Sequence, residues 1–132
     1  MKKILLLVLF IIGCENSNGL SSESEQLVGI WEMAEVKQTT GTEVEITMSD
    51  ENYNEILTFN SDGTYTDVME ESGNISTTTA NWELIGANQL QVTHSNGNIV
   101  IMNYSINETT LILYSTSSNN PDISYEVTYY KQ

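Results

Sequence analysis

The sequence ISYEVTYY at residues 123–130 places an apolar or aromatic side chain at every second position. Ile123, Tyr125, Val127 and Tyr129 would share one face of an extended chain, and mostly polar side chains would occupy the other. Side chains of a β-strand alternate between the two faces of a sheet, so this period of two is typical of a strand with one buried face. The stretch therefore predicts a strand whose inner face contributes to an apolar core.

The same alternation recurs upstream, from residue 27 onward. It assigns these further residues to inner faces: Leu57 and Phe59; Ala80, Trp82 and Leu84; Leu90 and Val92; Val100, Met102, Tyr104 and Ile106; Leu111 and Leu113. No segment after residue 27 has the 3.6-residue period of a helix. The pattern predicts an all-β domain.

The connectors between these segments are short and rich in turn-forming residues. They are Asp62-Gly63, Ser72-Gly73-Asn74, Gly86-Ala87-Asn88, Asn96-Gly97 and Asn107-Glu108. Connectors of this length cannot hold a crossover helix, so neighbouring strands must run antiparallel. About eight strands in such a meander remove their open edges by closing, and an eight-stranded interior can just be filled or hold one small ligand. We therefore expect a small antiparallel up-and-down β-barrel.

The charge of the chain excludes one class of partner. The sequence has 132 residues, with 18 acidic residues against four lysines and no arginine, for a formal net charge of −14. A field of that sign repels the phosphate backbone of nucleic acids. We expect no nucleic-acid binding, and we interpret most of the acidic residues as a solubilising surface.

The residues needed for catalysis or metal binding are scarce. The chain has one cysteine and one histidine, His94, which ends an alternating segment beside the Asn96-Gly97 turn. We interpret His94 as a solvated strand end, with a polar group at the barrel mouth as the alternative. A nucleophile needs an oriented base, and transition-metal sites need several histidine or cysteine ligands. The sequence therefore predicts neither an enzyme, nor a metal site, nor a cofactor.

The first 14 residues, MKKILLLVLFIIGC, form a segment of a different kind. Two lysines precede an apolar run that is far shorter than the roughly 20 residues a membrane-spanning helix needs, as in a signal peptide. Ile11-Ile12-Gly13-Cys14 resembles the lipobox of bacterial lipoproteins, although Ile12 stands where a smaller residue is commoner. The resemblance implies cleavage before Cys14 and acyl chains such as palmitate on that residue.

These features divide the chain into three parts. Residues 1–13 are predicted to be a lipoprotein signal peptide, residues 14–26 the lipidated cysteine and a flexible acidic tether, and residues 27–132 the barrel domain. The tether prediction rests on the polar sequence ENSNGLSSESEQ at residues 15–26, which has too few apolar side chains to fold alone. We expect an exported protein that Cys14 anchors to the lipid bilayer of the cell envelope, in the outer membrane, facing the periplasm or the surface.

Two short motifs resemble the lipocalins and the bacterial lipocalin-like lipoproteins. Residues 27–31, LVGIW, resemble the Gly-x-Trp motif that opens the lipocalin barrel, and residues 57–65, LTFNSDGTY, resemble a hairpin of the lipocalin-like lipoproteins. The resemblance implies that Gly29 admits the chain to the first strand, that Trp31 plugs the barrel floor, and that Lys131 covers this tryptophan. Many lipocalins use an arginine for that contact and have longer strands, so a shallower cup is expected.

The resemblance supports one hypothesis about function, and the barrel geometry leaves a second one open. The first is a cup for a small apolar ligand, lined by Phe59, Trp82, Leu84, Val100, Met102, Tyr104, Tyr125 and Val127. The second is a packed barrel without a cavity that acts through its outer surface as a structural or interaction lipoprotein, with a contact patch formed by Tyr130, Ile99 and Ile101. The presence of an internal cavity would distinguish the two.

Overall fold

The computed structural model describes residues 21–132, which form nine strands and one short helix. The helix is α1 (Ser22–Leu27). The strands are β1 (Gly29–Thr40), β2 (Glu43–Met48), β3 (Tyr53–Phe59), β4 (Thr64–Glu71), β5 (Asn74–Leu84), β6 (Gln89–His94), β7 (Ile99–Ile106), β8 (Thr110–Thr116) and β9 (Ile123–Lys131).

Eight of these strands close into an antiparallel barrel, which confirms the predicted fold class. Strands β3 to β9 pair in chain order, and β1 pairs with both β3 and β9 to complete the circle. The remaining strand, β2, pairs with the second half of β1, from Glu35 to Thr40. A register shift in β1 between Met33 and Glu35 separates the part that pairs with β3 from the part that pairs with β2.

The predicted turns fall between strands, and they set the register of the inner faces. Gly63, Gly73 and Gly97 all have positive φ, which glycine adopts without a steric penalty. In the resulting register Trp82 pairs with Val92, and Val92 pairs with Val100. The alternating residues identified in the sequence therefore lie on one side of the wall.

The two ends of the barrel differ. At the closed end lie the start of β1 and the junctions 60–63, 85–88 and 107–109; at the open end lie the junctions 41–42, 72–73, 95–98 and 117–122. Most of the buried core lies towards the closed end: Leu27, Trp31, Leu57, Phe59, Tyr65, Trp82, Leu90, Tyr104, Leu111 and Tyr129. Towards the open end every residue of β2 is exposed, and β7 pairs with β8 only from Asn103 onward.

Helix α1 corrects the predicted extent of the tether. The tether was predicted to reach Gln26, but the helix begins at Ser22, and both Ser24 and Leu27 are buried. The side chain of Ser21 caps the helix by accepting a hydrogen bond from the Ser24 backbone N–H at 3.2 Å. The segment is too polar to fold alone, and it is ordered by packing on the barrel floor. The predicted signal peptide and Cys14 lie outside the described residues.

The one helix within residues 21–132 is not long and apolar enough to cross a membrane.

Candidate functional site

A cavity of about 440 Å³ lies inside the barrel, between the core at the closed end and the open end. This volume is within the range of small-molecule sites. The wall is mainly apolar and is formed by the inner faces of β1, β3, β4 and β6 to β9. Its apolar residues are Met33, Val36, Leu57, Met69, Val92, Val100, Met102, Leu113 and Val127, and its aromatic residues are Tyr53, Tyr65, Tyr125 and Tyr129.

The structure divides the eight residues predicted to line the cup into two groups. Four of them line the cavity: Val100, Met102, Tyr125 and Val127. The other four do not line it: Phe59, Trp82 and Tyr104 are buried in the core, and Leu84 packs partly buried against that core. All eight face inward, but the alternation of a strand does not tell how deep each residue lies. The second group lies at the closed end, where the barrel is filled.

The floor of the barrel is built around Trp31, which is fully buried. Its indole N–H donates a hydrogen bond of 2.8 Å to the carbonyl of Leu27, at the end of α1. The ammonium of Lys131 lies 5.1 Å from the centroid of the Trp31 ring and donates a hydrogen bond of 2.9 Å to the carbonyl of Gln26. At this distance the cation is within range of the negative face of the ring.

Gly29 lies beside this lysine and has a backbone conformation that other residues avoid. Its φ is +141°, and a Cβ atom there would come within 2.8 Å of Lys131 Cε. Both the backbone conformation and the close approach of Lys131 therefore favour glycine at the entry to β1.

Two acidic side chains, Glu55 in β3 and Asp67 in β4, face the cavity. Asp67 pairs directly with Leu57 across the two strands, so Glu55, two residues before Leu57, is its diagonal neighbour on the same face. Neither acid was predicted from the sequence, because most of the acidic residues were interpreted as a solubilising surface. Strand alternation would have indicated both: Glu55 lies on the same face as Leu57 and Phe59, and Asp67 lies on the same face as Tyr65.

The environment of the two acids favours a shared proton. Burial raises the pKa of Glu55 to about 7, and the charge of Asp67 and a hydrogen bond with Asp67 raise it further. The Tyr129 hydroxyl donates a hydrogen bond to Glu55, which lowers this pKa. Burial also raises the pKa of Asp67, while a hydrogen bond from Glu55 and the charge of His94 lower it. A protonated Glu55 that donates to an ionised Asp67 satisfies both sets of interactions.

Tyrosine hydroxyls surround these acids. Burial, with the charges of Asp67 and Glu55, raises the pKa of the Tyr65 hydroxyl, and burial with Glu55 raises that of Tyr129 far above its ordinary value. Burial with the charges of Glu55 and Glu71 also raises the pKa of the Tyr53 hydroxyl. These hydroxyls therefore stay neutral and act as hydrogen-bonding groups.

His94 lies at the end of β6, where it lines the cavity. This position is the one that the alternative interpretation, a polar group at the barrel mouth, describes, and the side chain is also partly exposed at the strand end. His94 lies two residues after Val92 and four after Leu90, so its side chain faces inward as theirs do. Within residues 21–132, no three histidine, cysteine, aspartate or glutamate side chains are grouped so as to hold a metal ion.

A side depression of about 420 Å³ adjoins the cavity where β7 and β8 separate, and the two share Met102, Ser115 and Tyr125. The outer face near this separation carries exposed Ile99 and Ile101. Tyr130, which was predicted to form a patch with them, pairs with Thr110 at the closed end. The three residues therefore do not form one patch, because the strand register places them at opposite ends of the barrel.

The family model of the lipocalin-like domain matches residues 27–113, which is more than half of the chain. The chain belongs to the lipocalin-like domain family. Eleven chains of known structure match this lipocalin-like chain. One is a deswapped triple mutant of bovine odorant-binding protein, with 13% sequence identity and a TM-score of 0.48, over 81% of this chain and 74% of that one. A search of curated proteins finds no match.

Proposed function

We propose that this lipocalin-like domain binds a small, largely apolar ligand inside the open end of the barrel. The observation that carries the proposal is the cavity of about 440 Å³, whose wall is mainly apolar with a few converging polar groups. Pockets for small molecules have this composition. The competing hypothesis of a barrel that acts only through its outer surface required a filled interior, so the cavity favours binding.

Native mass spectrometry of the full chain, purified from its host in mild detergent, tests this proposal. We expect an adduct of small-molecule mass on the wild-type protein. The variant Val127→Trp, which places a large side chain in the wall, should lose the adduct. Ile112→Trp, at a partly exposed outward position of the neighbouring strand, is the matched control and should retain it. An adduct that Val127→Trp retains, or a wild-type protein without any adduct, would argue against ligand binding in the cavity.

We also propose that the domain is held on a membrane of the cell envelope through lipid on Cys14. The support is the sequence Ile11-Ile12-Gly13-Cys14 at the end of a short apolar run. Two or more acyl chains give stable membrane attachment, which a single chain does not. Cys14→Ser should move the protein from the membrane fraction to the soluble fraction, with the barrel still folded. If the variant remains in the membrane fraction, lipid on Cys14 is not the anchor.

A further inference from the structure

The ionisable groups in the wall of the cavity are mostly acidic. Glu55 and Asp67 face the cavity from β3 and β4, and the only wall residue that can carry a positive charge is His94. No lysine or arginine lines the cavity. A charge in an apolar cavity is costly unless it is paired. When Glu55 loses the proton that it shares with Asp67, the wall therefore carries a second negative charge that favours a positive partner.

The two lysines within residues 21–132 are engaged elsewhere. The ammonium of Lys37 forms a salt bridge of 3.1 Å with Glu126. Lys131 lies at the floor, over Trp31 and against the carbonyl of Gln26. Neither side chain lines the cavity, so the protein itself offers no ammonium to the two acids.

One oxygen of the acidic pair has no hydrogen-bond partner. Oδ1 of Asp67 is shielded from solvent and accepts no hydrogen bond, and it is the only buried side-chain oxygen or nitrogen in the described residues with this property. Buried polar groups without a partner are rare in folded proteins and call for an explanation. The proton of Glu55 can be donated to Asp67, and once Glu55 loses that proton the hydrogen bond between the two acids is lost. A ligand that brings N–H donors would then supply a donor to the pair.

The rest of the wall also suits a cation with an apolar extension. Tyr53, Tyr65, Tyr125 and Tyr129 line the cavity, and aromatic faces attract cations, as in sites for ammonium ligands. Along β3, Glu55 lies deeper than Tyr53, and Val100 lies near the open end at the start of β7. The two acids therefore lie at mid-depth, with Tyr53 and Val100 between them and the mouth.

We propose that the cavity takes a small amphiphile whose polar end is a protonated amine, with the ammonium on Asp67 and Glu55 and the apolar part towards the open end. This rests on the proposed function of the cavity as a ligand site. Hydrogen bonds between an ammonium and a carboxylate are about twice as strong as neutral ones. A carboxylate amphiphile, by contrast, would be repelled, and a neutral alcohol would leave the acids without a counter-charge.

Calorimetric titration with three probes of equal chain length separates the ligand classes. Hexylammonium, hexan-1-ol and hexanoate are titrated at pH 8 into the full chain in detergent, and the same titrations without protein measure partition into micelles. We expect hexylammonium to bind about tenfold more tightly than hexan-1-ol, and hexanoate to bind most weakly. Binding of hexan-1-ol as tight as that of hexylammonium overturns the amine proposal and leaves the ligand site standing. If none of the three binds, the proposed function itself fails.

A pair of double variants tests whether the two acids cause the preference. Glu55→Gln with Asp67→Asn should abolish the preference for hexylammonium and retain binding of hexan-1-ol. Glu83→Gln with Glu108→Gln changes the net charge equally at exposed positions and should retain the preference. If the preference for hexylammonium survives in the first double variant, or disappears in the second, it comes from the overall charge of the protein and the proposal is overturned. Retained binding of hexan-1-ol also shows that the first variant is folded.

Discussion

The closed and open ends of the barrel are made by the same strands but are built differently. At the closed end aromatic rings fill the interior: Phe59 lies 5.6 Å from Trp82 in an edge-to-face arrangement, and α1 packs beneath Trp31. At the open end β2 is exposed and β7 separates from β8, and the interior holds a cavity with two acids. Packing at the closed end therefore stabilises the fold, while the open end keeps a cavity.

The largest effect should come from removing the floor residue. Trp31→Ala deletes a fully buried ring, and losses of about 3–5 kcal/mol in the free energy of unfolding are typical of such changes. Val100→Ala, at a 43% exposed position of the open end, should cost under about 1 kcal/mol. Urea denaturation measures both. Equal losses would contradict the division between the two ends.

The second effect is a pH dependence that originates in the open end. The pKa of Glu55 is raised from 4.5 to about 7, so the folded state binds this proton more tightly than the unfolded state. Stability should therefore fall as the pH rises from about 4.5 to about 7, by about 2–3 kcal/mol.

Glu55→Gln is the variant that checks this. A glutamine amide can accept from Tyr129 and donate to Asp67, as protonated Glu55 does, so the variant should match the wild type at pH 5 and exceed it at pH 8. Denaturation curves at the two pH values measure the change, with exposed Glu83→Gln as the control. If Glu55→Gln is less stable than the wild type at pH 8, the shared-proton account is wrong.

The third comparison uses two glycines with positive φ. Gly29→Ala at the closed end should cost about 1–3 kcal/mol, and its Cβ must also displace Lys131 Cε, which would lie 2.8 Å away. Gly73→Ala, in the β4–β5 turn at the open end, has φ +80° and no atom within 4 Å of the added Cβ. Its cost should be about 1 kcal/mol, from the backbone alone. Thermal unfolding compares the two, and a larger loss for Gly73→Ala would contradict the role given to Lys131.

The smallest expected effect concerns the two lysines. Lys131→Met removes the cation over Trp31 and should cost about 0.5–1 kcal/mol, and Lys131→Arg should restore most of it. Lys37→Met breaks a partly exposed salt bridge with Glu126 and should cost little, because such pairs contribute about 0–1 kcal/mol. Urea denaturation measures the free energy of unfolding of these variants. An unchanged stability of Lys131→Met would show that the cation–π contact does not stabilise the protein.

The sequence was sufficient to predict the barrel, because strand alternation and short turns depend on local residues. It could not predict which face of β2 is outside. Val44, Ile46 and Met48 alternate as a buried face would, yet every residue of β2 is exposed, and the pairing of Val36 with Thr47 puts the opposite face of β2 on the cavity side. Alternation identifies two faces, and only the pairing with β1 decides which of them meets the interior.

The sequence also could not predict how deep each inward-facing residue lies in the barrel. Phe59 and Val100 both alternate inward, but one is buried in the core and the other lines the cavity. Helix α1 was missed for a related reason, since its few apolar side chains are buried only by contact with the floor. Glu55 and Asp67 could have been found from their parity, but their proximity depends on the register between β3 and β4.

Ligands are proposed to bind at the open end of the barrel, above a packed floor. NMR spectra of methyl groups, recorded while hexan-1-ol is added to the protein, test it most directly. We expect shifts at Met33, Val92 and Val127, which line the cavity, and none at Leu27, which is buried at the closed end. Shifts confined to the outer Ile99 and Ile101, or none in the cavity, would contradict it.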